Sequence, residues 1–444
     1  MRVLRQAWAG VRGRLEGVDY LAHGRPGRPG VYAQSRMRQG LRAMREAWWI
    51  QARLERYGTI RHYAFLLDWA LAEPGYRATA EVLPVGGRLV VFRFGHLGDI
   101  LHLLPSLREI KRQRPDVRME LVTGPWNKAL LADQDVRFDA VHYFTPDVIQ
   151  YHRGQSDGVR AFAGEQAFIR TLRGNGVDLV FCPAKPHFAE LCIIIGLQPS
   201  HYVGGDWNLQ NLPTEFPCHT RPFDSRHYEM EAIADFLPDM GLERKPVSLA
   251  YQISSSCLAA VDERLKKENQ AGKPVLSVFP GSGWSGKCWP VEHFVALLNR
   301  VNDDGRFMVV LGGSPGERWL CEHINSQLKH AALITAGRLS LDESAALIQR
   351  SALLIGNDSA PIHVAAAVGC PTVSLWGPTF PEKWAPRGAM HTQVKRRGDC
   401  AGCTYWHPAA PCTGRPSCIT TIAVDDVLEA VERQLEASRS AIPG

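Results

Sequence analysis

No apolar run in these 444 residues approaches the length needed to cross a bilayer; the strongest, residues 191–197, is far too short. No membrane-spanning helix is expected. The N-terminal stretch has arginines but no uninterrupted apolar h-region, which argues against a secretory signal and for a cytoplasmic chain. The sequence also lacks a short-period repeat, a long low-complexity tract and any recognisable nucleic-acid reader motif, so solenoids, disordered arrays and a nucleic-acid partner are set aside. Cysteine is not scarce, at 11, but without a signal these thiols are expected to be reduced or metal-bound rather than a disulfide framework. What remains is ordinary globular composition, 45% hydrophobic and 22% charged, with enough length for two domains.

The formal charge of +6 is unevenly spread. Residues 1–87 hold 14 arginines against seven acidic residues, a local +7, and the remainder is near neutral. This extension carries Trp8, Trp48, Trp49 and Trp69, and residues 41–72 have helix-compatible spacing. Two readings stand. One is a basic interfacial helix in peripheral contact with an anionic membrane, the inner face of the inner membrane; the other is a helical collar packed on the main body or on another subunit of a homo-oligomer.

From residue 88 onward, strand-like runs alternate with helical patterns. "RLVVFRF", a helical stretch to Arg114, "RMELVTG", "GVDLVFCPA" and "HFAELCIIIG" predict a parallel α/β domain over residues 88–245. Prolines and a polar helix precede Gly272, marking a boundary, and the alternation restarts with "VLSVFPGSG", "FMVVLGG", "AALITAG", "ALLIGNDSA" and "PTVSLWGPT". That predicts a second doubly wound domain over residues 246–424, including a Cys-rich loop at 400–418, then a C-terminal helix and tail at 425–444. Two Rossmann-like halves facing each other leave a cleft.

Chemistry concentrates where strands meet helices. Residues 90–107, "VVFRFGHLGDILHLLPSL", break between a buried strand and a helix whose apolar residues recur from Ile100 to Ile110. Asp99 is expected to open that helix, either as its N-cap or as a functional carboxylate, because ligands of open α/β sheets bind beyond the carboxyl ends of strands. In "FPGSGWSGKCWP", Gly281, Ser282 and Gly283 let backbone amides approach an anion and Lys287 adds a compact positive charge, although the P-loop spacing is absent. In "IGNDSAPIHVAAAVG", Ser359 is a natural N-cap and Pro361 suits the first helical position, while Asp358 and His363 bring hydrogen-bonding groups to the same helix end, which suits a diphosphate. Thr379 and Lys383 in "WGPTFPEKWAPRG" read as cleft-wall ligands, and Lys185 and His187 after "LVFCPA" as acceptor contacts. Cys400, Cys403, Cys412 and Cys418 have tetrathiolate spacing suited to structural zinc or iron, but reduced thiols or a redox disulfide fit as well.

With those blocks in view, the chain resembles the ADP-heptose:lipopolysaccharide heptosyltransferases, glycosyltransferase family 9, of GT-B fold. Three blocks carry the resemblance: Gly98-Asp99 with "ILHLLPSL", "FPGSGWSGKCWP", and "LLIGNDSAPIHVAAAVGCPTVSLWGPT"; it runs from about residue 88 to 427. It implies inverting transfer of a heptose from ADP-heptose to a sugar hydroxyl of a lipid-linked core oligosaccharide, with no cofactor required for catalysis. Asp99 matches the general base, Ser282 and Lys287 the donor-phosphate contacts, and Asp358, Ser359 and His363 the donor-binding turn. Ala360 stands where the family usually has glycine, a departure that bears on donor identity. The Cys cluster resembles the iron-binding one of autotransporter heptosyltransferases, so a protein acceptor is the alternative, and a non-catalytic nucleotide-binding scaffold is the other. A helix N-terminus weakens a carboxylate as a base unless a closed cleft restores it.

Overall fold

Strands buried on both faces need helices above and below, and the chain meets that need twice. The computed structural model describes residues 80–132, 134–145, 158–174, 176–184, 186, 188–206, 218–222, 224, 226–395 and 418–440. Nearly all of the basic extension lies outside them, as do Lys185, His187, Cys400, Cys403 and Cys412. The first sheet comprises β1 (Arg88–Arg93), β2 (Arg118–Thr123), β3 (Ala140–Tyr143), β4 (Leu179–Cys182), β5 (His201–Gly205) and β6 (Cys218–Arg221). All its neighbours pair in parallel, in the order β3-β2-β1-β4-β5-β6.

The second sheet comprises β7 (Val275–Phe279), β8 (Met308–Leu311), β9 (Leu333–Ile334), β10 (Leu353–Asn357), β11 (Thr372–Trp376) and β12 (His391–Lys395). Its order, β12-β11-β10-β7-β8-β9, is also wholly parallel and repeats the first topology. In each sheet the chain winds outward one way and then the other. The order therefore reverses between β1 and β4 and again between β7 and β10, which is where a crevice opens at the carboxyl ends of such strands.

The helices that shape the site are α1 (Leu97–Gln113), α2 (Glu229–Ala234), α3 (Val291–Val301), α4 (Leu341–Gln349), α5 (Ala360–Ala367), α6 (Pro381–Trp384) and α7 (Val424–Ser440). α1 follows its apolar spacing: Ile100, Leu103, Leu104, Leu107 and Ile110 are fully buried. Both sheets lie in one compact unit. One continuous core joins them, for Leu103 and Leu107 of α1 share a cluster with Ile348 of α4 and with Ile362, Val364 and Ala365 of α5. The final helix, α7, puts Val427, Ala430, Val431 and Leu435 into the core of the second sheet beside Phe294 and Val373.

Two helix starts differ from expectation by a short step with chemical consequences. α1 begins at Leu97, with His96 as N-cap, so Asp99 is the third helical residue and not the cap. Its carboxylate accepts from the His96 backbone N–H, the reciprocal half of a capping box, which requires the third position of the helix. α5 begins at Ala360, which makes Pro361 the second residue. Ser359 occupies the N-cap position in extended backbone, but its hydroxyl donates to the Asn357 carbonyl at 3.3 Å and caps no helix amide.

Candidate active site

At the end of β1 the turn through Gly95 brings Asp99 back over the strand. Asp99 Oδ2 accepts from the His96 N–H at 2.8 Å and Oδ1 from Arg93 Nη2 at 2.8 Å, which fixes both carboxylate oxygens. Arg93 is the last residue of β1 and is buried, so its charge needs compensation. The same Nη2 reaches Glu229 Oε1 at 2.6 Å, and Glu229 Oε2 meets Lys383 Nζ at 2.6 Å. Burial pushes Glu229 up, but Arg93 and Lys383 outweigh it and hold the carboxyl down at about 2. For Arg93, burial opposes the charge and the two carboxylates outweigh it, so its pKa is raised.

The second half supplies a turn suited to anions. Gly281 follows β7 where a Cβ would run into the Glu317 carboxylate, so any larger residue there would have to displace that side chain. Beyond it, Lys287 Nζ pairs with Asp358 Oδ2 at 2.7 Å, and Thr379 Oγ1 also donates to Asp358. Asn357 ties the two turns together: its amide donates to the Pro280 carbonyl at 2.7 Å and its Oδ1 accepts from the Trp289 N–H at 3.1 Å. Lys287 is thereby held against the start of α5, where helix amides and the dipole favour negative charge.

The halves meet at a seam of rings. His363 of α5 packs edge-on against His102 of α1 with ring centroids 4.8 Å apart, and His102 also meets Tyr228 and Trp384. Gly98 makes the approach possible: a Cβ there would lie 2.7 Å from His363 Cδ2. Burial lowers the pKa of His102 despite its hydrogen bond to the Gly98 carbonyl. Burial, and then the neighbouring His102 and Lys287, push His363 well down. Among the described residues, His363 Nδ1 and His102 Nε2 have no hydrogen-bond partner.

A cleft of about 850 Å³ opens between the sheets. It is lined by Asp99, Gly281, Ser282, Gly283, Lys287, Asp358, Ser359, Ala360, His363 and Thr379, so the cleft positions marked from the sequence come together with one exception. Lys383 is not among the lining residues: it is buried on Glu229. Sequence reasoning missed Arg93, Glu229 and Asn357. Arg93 had a legible signal, a cation closing an apolar strand, whereas Glu229 sits in an unremarkable helix start far along the chain. No group of three or more metal-ligating side chains gathers among the described residues, and Cys418 is the one member of the cysteine cluster they include; it is buried. No helix among them is long and apolar enough to cross a membrane.

Two doubly wound sheets whose switch points open on one cleft, a carboxylate on one wall and an anion-suited turn on the other, have the architecture of the GT-B glycosyltransferases. Residues 196–405 match the family model described as glycosyltransferase family 9 (heptosyltransferase). The chain is 30% identical to lipooligosaccharide heptosyltransferase 2 of Haemophilus influenzae over 332 residues, 69% of this chain and 90% of that protein. It belongs to glycosyltransferase family 9, the heptosyltransferases, and is a glycosyltransferase. The fold agrees with two solved structures. The family 9 glycosyltransferase of Veillonella parvula has a TM-score of 0.66 and 19% identity, covering 81% of this chain and 100% of its own. The E. coli ADP-heptose lps heptosyltransferase II has a TM-score of 0.58 and 19% identity, covering 80% and 99%.

Proposed function

We propose that this glycosyltransferase moves a heptose from ADP-heptose to a sugar hydroxyl of a lipopolysaccharide-type core acceptor, inverting the anomeric centre, with Asp99 as general base. The observation that carries this is the cleft itself, lined by Asp99 at the end of β1 and by Lys287, Asp358 and the start of α5 at the ends of β7 and β10. The donor in this reading follows the E. coli neighbour, whose own name specifies ADP-heptose.

The chemistry follows from that arrangement. Asp99 takes the proton from the acceptor hydroxyl, the new bond forms on the face of the anomeric carbon opposite the diphosphate, and the bond to the diphosphate oxygen breaks. Negative charge shifts onto departing ADP. The Lys287 ammonium and the first amides of α5 face that charge, and such preorganised donors act most strongly on charge that develops in the transition state. Arg93 and the His96 amide hold both Asp99 oxygens, which aims the base.

The test is ADP release from ADP-heptose by wild type and Asp99→Asn, with and without heptose-free core lipopolysaccharide. Acceptor-dependent release that falls at least about 10²-fold in Asp99→Asn is expected. Donor binding without release would reject the acceptor or sugar assignment, and equal rates in both enzymes would remove Asp99 as base. A lipid-linked acceptor also gives the basic residues 1–87 a membrane to meet. Their deletion is expected to abolish binding to anionic liposomes; unchanged binding would end that part of the reading.

A further inference from the structure

Arg93 Nη2 is shared. It donates to Asp99 Oδ1 at 2.8 Å and to Glu229 Oε1 at 2.6 Å, while Arg93 Nε, also buried, has no hydrogen-bond partner among the described residues. The two N–H groups of Nη2 thus hold two carboxylates at once, and one guanidinium charge faces two negative charges. The missing positive charge comes from the other half of the molecule: Lys383, on α6 beyond β11, brings its ammonium to Glu229 Oε2 at 2.6 Å and to the Asp224 carbonyl at 3.3 Å. Arg93, Glu229 and Lys383 are all nearly inaccessible, with side chains 4%, 6% and 3% exposed, so solvent does little to screen their charges. Asp99, 24% exposed, is the end of this chain that opens on the cleft.

Resting on the reading of Asp99 as base, we propose that Lys383 is a positioning residue: by docking on Glu229 it frees Arg93 to hold Asp99, so the base is set only when the two halves are closed. The chain of contacts alternates in sign, Asp99, Arg93, Glu229, Lys383, and sums to zero only with the last member in place. If Lys383 is withdrawn, Glu229 keeps a buried charge with one partner and draws Arg93 toward itself, because an under-compensated buried carboxylate is costly. Asp99 then loses one of its two fixed contacts. The neighbouring docking contacts have the same sense, for Arg387 lies over the Tyr228 ring at 4.3 Å and pairs with Glu231 at 3.1 Å, both beside Glu229 on the first half. Closure of the cleft and alignment of the base are therefore one event.

The test has a kinetic and a thermal arm on the full-length protein. Lys383→Met is expected to lower kcat with ADP-heptose and heptose-free core lipopolysaccharide by about 10²-fold, the scale of a misplaced reacting group, with KM for the donor unchanged. Lys383→Arg is expected to restore part of the loss. Glu229→Gln combined with Lys383→Met removes the competing carboxylate together with its partner, is expected to recover most of kcat, and covers the case in which Lys383→Met alone does not fold. In the thermal arm, Asp99→Asn added to Lys383→Met is expected to raise the melting temperature of the single variant, because Arg93 then serves Glu229 alone. A wild-type kcat in Lys383→Met, no recovery in the double variant, or additive melting shifts would each overturn the proposal. If wild type turns over no ADP-heptose, the reading of function fails, and the melting cycle alone decides the network.

Discussion

A single methylene separates a working contact from a clash at Gly98. His363 comes so close that a Cβ would sit 2.7 Å from its ring, and the ring is buried. Gly98→Ala is expected to destabilise the protein by about 1–3 kcal/mol, the usual cost of overpacking. Thermal unfolding of Gly98→Ala and of Gly98→Ala with His363→Ala measures it, with much of the loss returned in the pair. Between the turns after β7 and β10, Lys287 and Asp358 compensate each other, at 24% and 6% side-chain exposure. Lys287→Ala is expected to weaken ADP binding about 10- to 100-fold, the size of a lost charge-assisted hydrogen bond, and to lower stability as well because Asp358 keeps a buried charge. Titration calorimetry with ADP, beside the unfolding curve of Lys287→Ala with Asp358→Asn, separates the two effects. The type of these residues was legible in the sequence, since Gly, Asp, Ser and Lys at strand ends have few other uses together. The partners were not, because Arg93 and Glu229 are separated by 136 residues.

Helix α1 was legible from its period and α5 from its punctuation, but their first residues were not. Asp99 and Ser359 have the composition of caps, yet the structure gives the N-cap to His96 and turns the Ser359 hydroxyl away from its helix. Capping preference is worth only about 1 kcal/mol, so a backbone turn set by packing overrides it. That packing is mutual. Ile362 of α5 is fully buried in the same cluster as Leu103 and Leu107 of α1. Ile362→Ala is expected to cost about 2–5 kcal/mol and to lower the denaturant midpoint of both halves together, because one core serves both. Separate transitions for the two sheets would contradict the shared core.

Part of the whole molecule's pH response lies at the seam between its sheets. His102 and His363 have folded-state pKa values below the ordinary 6.5, mainly through burial. For a base whose folded pKa is lowered, the unfolded chain binds more protons below about 6.5, so stability is full above that pH and falls as pH drops through it. Each histidine contributes up to about 1.4 kcal/mol per pH unit in that window. Glu229, held down at about 2, adds stability that is present above the usual carboxylate range and lost as pH falls from there toward 2. Melting temperatures are therefore expected to decline from about pH 6.5 downward, and the decline between 6.5 and 5 to become shallower in His102→Gln with His363→Gln, with His391, also lowered by burial, keeping a remainder.

The order of hydrophobic runs and glycine-rich turns was enough to determine two parallel doubly wound sheets and the strand ends that line the cleft, because period and backbone freedom are local properties of the chain. The same blocks pointed to family 9. Only the tertiary structure decided that Lys383 is a buried partner of Glu229 rather than a wall of the cleft, that Asp99 is the third residue of its helix rather than its cap, and that α7 belongs to the core of the second sheet. Those outcomes depend on which distant groups share a low-dielectric space, and a buried charge is settled by whatever opposite charge the fold brings to it.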